Sequence, residues 1–359
     1  MKIFIYLILT SLFTYIILFF NNKEFSNIPI IQESWAWNKS SEFGIANDSR
    51  YKEKPLKIAN GYKVGKESFL FSLNKKAILD EDGDLTDFPV LGEGYLTYKK
   101  IGNKITYFSK RGEILWKKPF SSYPISTYKG NLTFLISGDG NQILLIDKNG
   151  NPTGEKQLDG RFFTDMSQSV SFGSVLLFSG GEIFRLDSSG KLIYKLSNND
   201  SKVLRFFKSI TLSENGELAA VHYFENNKDY ISLLDKEGKP TGLKILLPHI
   251  YPHKIFMSLN NKGKLLTNLR DAILLFDTDG KILHKTIKKK KESVYQVSFS
   301  NGEYFIAGFK DTILFLNDKG ELFKKKKLGL GPWRLYPSDH PDSFFLETRD
   351  DVIYFHQFE

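Results

Sequence analysis

The chain has 359 residues, 41% hydrophobic and 14% aromatic, which is enough to bury a large core and too apolar for a disordered chain. It contains no cysteine, which excludes a disulfide framework, a thiolate metal site, a cysteine nucleophile and a lipid-anchoring cysteine. The formal charge of +9 permits anionic partners such as lipid headgroups or polysaccharide and selects none of them.

In chain order, the first predicted element is a membrane segment. From Ile3 to Phe20 the run IFIYLILTSLFTYIILFF holds eighteen residues without a charge, preceded by Lys2. A helix of this length reaches across the hydrocarbon core of a bilayer. A cleavable signal peptide has a shorter apolar stretch, about 7 to 15 residues, followed by a small-x-small site. Here the run ends in FFNNKEFSN, with no such pair. Residues 1–22 are therefore expected to be an uncleaved transmembrane anchor. The free amine and Lys2 lie before the run, and Lys23 after it is offset by Glu24, which places the N-terminus in the cytoplasm and the remainder outside. Cleavage would instead release the chain into the periplasm.

Residues 23–54 are polar, rich in Asn, Ser, Lys and Glu, and are expected to form a tether. Within it, Trp35 and Trp37 alternate in SWAWNK. They suit a short strand docked on the main body better than aromatic anchors at the membrane interface.

From residue 55 onward one unit recurs. Its eight copies are KKAILDED, NKITYFSKRG, NQILLIDKNG, GEIFRLDSSG, DYISLLDKEG, DAILLFDTDG, DTILFLNDKG and DVIYFHQFE. The shared isoleucines are Ile78, Ile105, Ile143, Ile183, Ile231, Ile273, Ile313 and Ile353, spaced 27, 38, 40, 48, 42, 40 and 40 residues apart. In six copies a glycine follows seven residues later, at Gly112, Gly150, Gly190, Gly238, Gly280 and Gly320. Asp147, Asp187, Asp235 and Asp277 stand three residues before their glycines, with Ser109 and Asn317 at equivalent places. Such a side chain caps a tight turn and the glycine supplies positive φ, so the motif is a hairpin device. Runs such as ILLFD and ILFLN alternate poorly, as expected of strands covered on both faces.

A period near forty residues with four strands per unit predicts an all-β fold, an eight-bladed β-propeller over residues 55–359. The chain ends six residues after Ile353, so the last blade needs an outermost strand from the N-terminal side, for which Pro55–Asn60 (PLKIAN) is a candidate. The 27-residue spacing after Ile78 is about one strand short, which predicts a first blade without a full outer strand.

The stretch from Gly112 to Gly150 resembles the repeat of quinoprotein-type (PQQ-like) propellers, through Gly112, Trp116, Asp139, Gly140, Asp147 and Gly150. At the Trp116 position other units carry Tyr194, His284 and Lys324, or Gly154 and Gly242. The resemblance implies one of two functions. Its enzyme branch holds a quinone against adjacent cysteines beside calcium, and its non-enzymatic branch resembles the periplasmic propeller that assists outer-membrane protein assembly. A chain without cysteine and without long insertions fits the second branch, with no cofactor and no metal. The sialidase-type aspartate spacing and the GH…WD pattern of WD40 units are missing, and a kelch-like double glycine occurs only at Gly180 and Gly181.

His249 and His253 in PHIYPH are spaced like helical metal ligands, but the proline between them argues for a loop. Asp350 and Asp351 read as turn residues. No catalytic set emerges from spacing, because propeller sites draw single residues from several blades. The candidate site residues are two lysine runs, Lys288, Lys289, Lys290 and Lys291, and Lys324, Lys325, Lys326 and Lys327, expected at equivalent ends of adjacent outer strands. They either protect exposed edges or form a basic rim for an anionic surface. The expected function is a membrane-tethered, extracytoplasmic protein-binding or scaffold module of a bacterial envelope, with protein partners and no nucleic acid. An enzyme with a site in the central channel and a carbohydrate-binding propeller are the alternatives.

Overall fold

The computed structural model describes residues 30–38 and, with short gaps, 61–358, together with 10–11 and 14–15. From residue 30 onward the described regular structure is entirely β-strand. The apolar run at Ile3–Phe20, the PLKIAN segment, Ile78, Lys290 and Lys291 lie outside the described residues, apart from the four positions at 10–11 and 14–15. Among the described residues no helix is long and apolar enough to cross a membrane.

Among the described residues the strands form eight antiparallel sheets, seven of four strands and one of three. In chain order the first is β2 (Gly61–Val64), β3 (Glu67–Leu70) and β4 (Lys75–Ala77). Next come β5 (Asp84–Asp87), β6 (Tyr95–Lys99), β7 (Lys104–Phe108) and β8 (Ile114–Pro119), then β9 (Ser122–Ser126), β10 (Leu132–Ser137), β11 (Gln142–Asp147) and β12 (Pro152–Asp159). They are followed by β13 (Phe163–Ser169), β14 (Gly173–Phe178), β15 (Ile183–Leu186) and β16 (Leu192–Leu196), then β17 (Arg205–Leu212), β18 (Ala219–Glu225), β19 (Lys228–Leu234) and β20 (Pro240–Leu246). The sixth and seventh sheets are β21 (Phe256–Leu259), β22 (Leu265–Asn268), β23 (Ala272–Phe276) and β24 (Ile282–Ile287), and β25 (Val297–Ser300), β26 (Tyr304–Phe309), β27 (Thr312–Asn317) and β28 (Leu322–Lys327). The eighth joins β29 (Arg334–Pro337), β30 (Ser343–Glu347) and β31 (Asp351–Phe358) to β1 (Ile30–Asn38).

Successive sheets pack face to face. Leu96, Ile105 and Trp116 meet Leu135 and Ile146 of the next sheet, Val175 and Ile183 meet Val221 and Leu234, and Tyr304 and Phe315 meet Phe344 and Phe355. The middle strands are therefore covered on both sides, and β14, β26 and β27 are buried along their whole length. This accounts for apolar runs without alternation. Each buried Leu, Ile or Phe contributes about 1.5–3 kcal/mol.

The inner strand of each four-stranded sheet is an edge, and at β9, at β17 and just past β13 side chains from neighbouring sheets occupy backbone donors. Asp87 accepts from Ser126 N–H at 2.8 Å, Asp165 from Ile210 N–H at 3.1 Å, Ser167 from Leu212 N–H at 3.0 Å and Glu214 from Val170 N–H at 2.8 Å. These pairs advance together along the chain, so the inner strands concerned run parallel. They thereby define two faces. The hairpin face carries the Asp-x-x-Gly turns, and the crossover face carries the loops from each outer strand to the next inner one.

The hairpin device forms as the sequence predicts. Asp147 Oδ1 accepts from Asn149 and Asn151 N–H at 2.9 and 2.8 Å, and Gly150 takes φ +84°. Gly150 also lies under the preceding sheet, where a Cβ would stand 2.7 Å from Trp116. Tyr194 sits likewise over Gly238, and His284 Nδ1 lies 2.9 Å from the Gly320 carbonyl. Trp116, Tyr194 and His284 thus dock their outer strands onto the next hairpin.

One boundary moves. The strand that completes the last sheet is β1, in register from Ile30↔Phe358 to Asn38↔Asp351 with a bulge between Glu33 and Trp35. Residues 30–38, assigned to the tether by the sequence, therefore belong to the sheet, and Trp35 and Trp37 sit in its outermost strand. Burial of Ile31 in the cluster with Phe315 and Phe355 is what selects this segment. The first sheet has three strands among the described residues, as its short spacing predicts.

Candidate functional site

Four places gather polar chemistry. At the centre, inner strands β13, β17, β21 and β29 enclose a cavity of about 120 Å³, lined among others by Tyr128, Ser167, Gln168, Thr211, Glu214 and Ser258. Burial pushes the Glu214 carboxyl up, against hydrogen bonds from Val170 N–H and Ser169 that pull it down. Burial likewise raises Tyr128 to about 12. Asp165, nearby on β13, is raised by burial despite Lys254 at 3.4 Å. Ser258 is buried and its Oγ has no hydrogen-bond partner among the described residues.

The second place is a Ser-His-Asp set that spacing did not reveal. Ser209 Oγ lies 3.3 Å from His222 Nδ1, and His222 Nε2 lies 3.1 Å from Asp229 Oδ2. Lys208 Nζ donates to Asp229 at 2.6 Å and to the Tyr251 carbonyl at 2.7 Å, while Tyr251 N–H donates to Asp229 at 2.7 Å. Burial would raise the Asp229 carboxyl, but the bonds from His222, Lys208 and Tyr251 hold it below its ordinary value. Burial lowers His222 and keeps the ring neutral. Ser209, His222 and Asp229 are all sealed from solvent, so no substrate reaches the hydroxyl. The set fastens three strands of one sheet to the loop leading to β21. Nothing in the linear spacing of three residues on three strands signals it.

The third place is the pair of lysine runs, and the structure separates them. Lys288 N–H bonds the Asp271 carbonyl as Leu328 N–H bonds that of Asp311, so the equivalent of Lys288 is Leu328. The first run follows its outer strand, whereas the second run is the strand. Lys288 is 5% exposed, with its ammonium on Asn268 and the Leu269 carbonyl, 5.5 Å from the Phe309 ring. Lys289 is exposed. Lys324 Nζ donates to the Ile31 carbonyl at 2.5 Å and lies 5.7 and 5.9 Å from the Phe315 and Phe355 rings. Burial lowers its pKa. Lys326 pairs with Glu33. Lys325 and Lys327 face solvent, the latter 81% exposed beside Asp311 at 3.7 Å. The expected equivalent rim of eight lysines is thus corrected: Lys288 is internal, and Lys324 and Lys326 hold β1, because a strand's side chains alternate between its two sides.

The fourth place is the crossover face of the sheets β13–β16 and β17–β20. Phe162, Leu204, Phe206, Leu246 and Ile250 are exposed at this end. Beside them the buried Glu225 carboxylate holds Arg205 at 2.7 Å and also Lys244, whose ammonium lies 4.0 Å from the Tyr230 ring. His249 lies 3.3 Å from Asp271, to which Tyr251 donates at 2.8 Å. Among the described residues no group of three His, Cys, Asp or Glu side chains is arranged to hold a metal.

No family model matches the chain, and no curated protein matches it. Among solved structures it is similar to BamB from Moraxella catarrhalis, with 14% identity and a TM-score of 0.56, over 92% of this chain and 100% of that one. Virginiamycin B lyase from Staphylococcus aureus is similar at 12% identity and a TM-score of 0.48, over 92% of this chain and 100% of that one. At 14% identity the likeness to BamB shows the fold alone, a β-propeller.

Proposed function

We propose that the chain is an eight-bladed, PQQ-like propeller, anchored by residues 1–22 in the inner membrane with the ring on the periplasmic side, and that it binds protein partners as an envelope scaffold. The observation that carries this function is that Phe162, Leu204, Phe206, Leu246 and Ile250 are all exposed at the same end of two adjacent sheets. Aromatic and aliphatic side chains grouped beside paired cations are the composition of a protein-binding surface, and isolated monomers rarely leave such groups in water. The similarity of fold to BamB is compatible with partners in outer-membrane assembly. Contact with an anionic polysaccharide would fall to the exposed lysines 289, 325 and 327.

A photo-crosslinking residue at Phe206 or Ile250, tested in native membranes, is expected to yield the same discrete protein adduct from both positions and none from Ile193. Absence of any protein adduct from either position contradicts the proposal. The second function, a small ligand in the central channel, is favoured by the unpartnered Ser258 hydroxyl beside Glu214. A glycan or metabolite that raises the melting temperature of the wild type but not of S258A would establish it.

A further inference from the structure

Resting on the proposed anchor, we infer that the hairpin face of the ring lies against the membrane and the crossover face points away from it. Strand β1 fixes the direction. Lys324 reaches Ile31 and Lys326 reaches Glu33, so β1 runs parallel to β28. Strand β28 starts from the hairpin at Gly320, and β1 therefore starts at the hairpin face, where Ile30 pairs with Phe358. Between Phe20 and Ile30 there are nine residues, 21–29. Fully extended they span at most about 32 Å, so the start of β1 stays close to the bilayer.

The side chains around that face suit contact with lipid. Two residues after the turn glycines, the outer strands place Ile114, Ile282 and Leu322, which are 50%, 46% and 45% exposed. At the same position β12 and β20 carry Pro152 and Pro240, both exposed, and Ile193 of β16 is exposed one residue further on. These residues form an aliphatic collar at the height where the tether joins. The lysines at the other ends of the outer strands lie on the far side. Lys327 lies five residues beyond Leu322 on β28, about 17 Å past the collar. The Debye length is about 8 Å at physiological salt, which leaves Lys327 and the run after β24 without attraction to headgroups. The crossover face, with Phe206 and Ile250, is then open to partners.

The cysteine-free chain makes a direct test practical. Single cysteines S188C, in an exposed turn of the hairpin face, and K228C, exposed at the start of β19 beside a turn of the crossover face, are labelled with an environment-sensitive fluorophore in the full-length protein. The protein is reconstituted into phosphatidylcholine vesicles, with and without phosphatidylglycerol, that carry a headgroup quencher. Quenching is expected to be several-fold stronger at residue 188 than at 228, with and without the anionic lipid, and to weaken at 188 in I114Q/I282Q/L322Q. Equal or stronger quenching at 228 in protein that resists carbonate extraction overturns the orientation alone. Release by carbonate overturns the anchor, and the orientation with it.

Discussion

Gly150 and Gly112 adopt almost the same backbone, φ +84° and +85°, but a Cβ at Gly150 would meet Trp116 at 2.7 Å whereas at Gly112 it would meet nothing within 4 Å. Positive φ alone costs an ordinary residue about 1–2 kcal/mol. G112A is therefore expected to lose about that much stability, and G150A about 2–4 kcal/mol, because the docked indole must also shift. Denaturant midpoints of the two variants check this. Equal losses would mean that the Trp116 contact is unimportant. His222 gives a second outcome with a definite sign. Burial lowers its pKa below the ordinary 6.5, so below that pH the unfolded chain binds a proton that the folded chain refuses. Stability falls as pH falls through this window, by up to about 1.4 kcal/mol per unit. The buried carboxyls of Asp165 and Glu214, raised in the fold, act with the opposite sign at lower pH, so the difference between wild type and H222Q isolates the histidine. Urea melts between pH 7 and 5.5 should show a shallower slope for H222Q. The turn aspartates were legible in the sequence because a cap and its glycine are local. Ser209, His222 and Asp229 were not, since the fold brings them together from three strands.

At the scale of elements, β28 shows why four consecutive lysines misread as a surface. An outer strand usually leaves one side to water, but here β1 of the next sheet covers that side's neighbour, and alternate lysines turn toward it. Lys324, bonded to the Ile31 carbonyl between two phenylalanine rings, is expected to contribute about 1–3 kcal/mol. Lys326, a half-exposed partner of Glu33, should contribute less, about 0–1 kcal/mol. K324A/K326A should therefore lower the melting temperature by several degrees, while K325Q/K327Q stays within about 0.5 kcal/mol of wild type. Equal effects of the two double variants would show that the inward contacts carry no stability. The need for a closing strand was legible from the chain's end near Ile353. Its identity was legible only in part: the alternating Trp35 and Trp37 pointed to a docked strand, but that this strand closes the last sheet shows only when Ile31 meets the cluster of Phe315 and Phe355.

For the whole molecule, periodicity carried the fold: isoleucines every forty residues predicted the succession of sheets, and the buried middle strands explain why their runs do not alternate. Function was less legible, since the exposed cluster around Phe206 belongs to strand ends and loops that follow no repeat. The same closing strand that completes the last sheet also joins the ring to the proposed anchor, so pulling on one strains the other. The most direct measurement is hydrogen exchange on the full-length protein, read for peptides covering residues 30–38 and 351–358. A closed ring predicts that both exchange slowly and to the same extent, and that both accelerate together in K324A/K326A. Exchange of residues 30–38 within seconds while 351–358 remains protected would contradict closure by this strand.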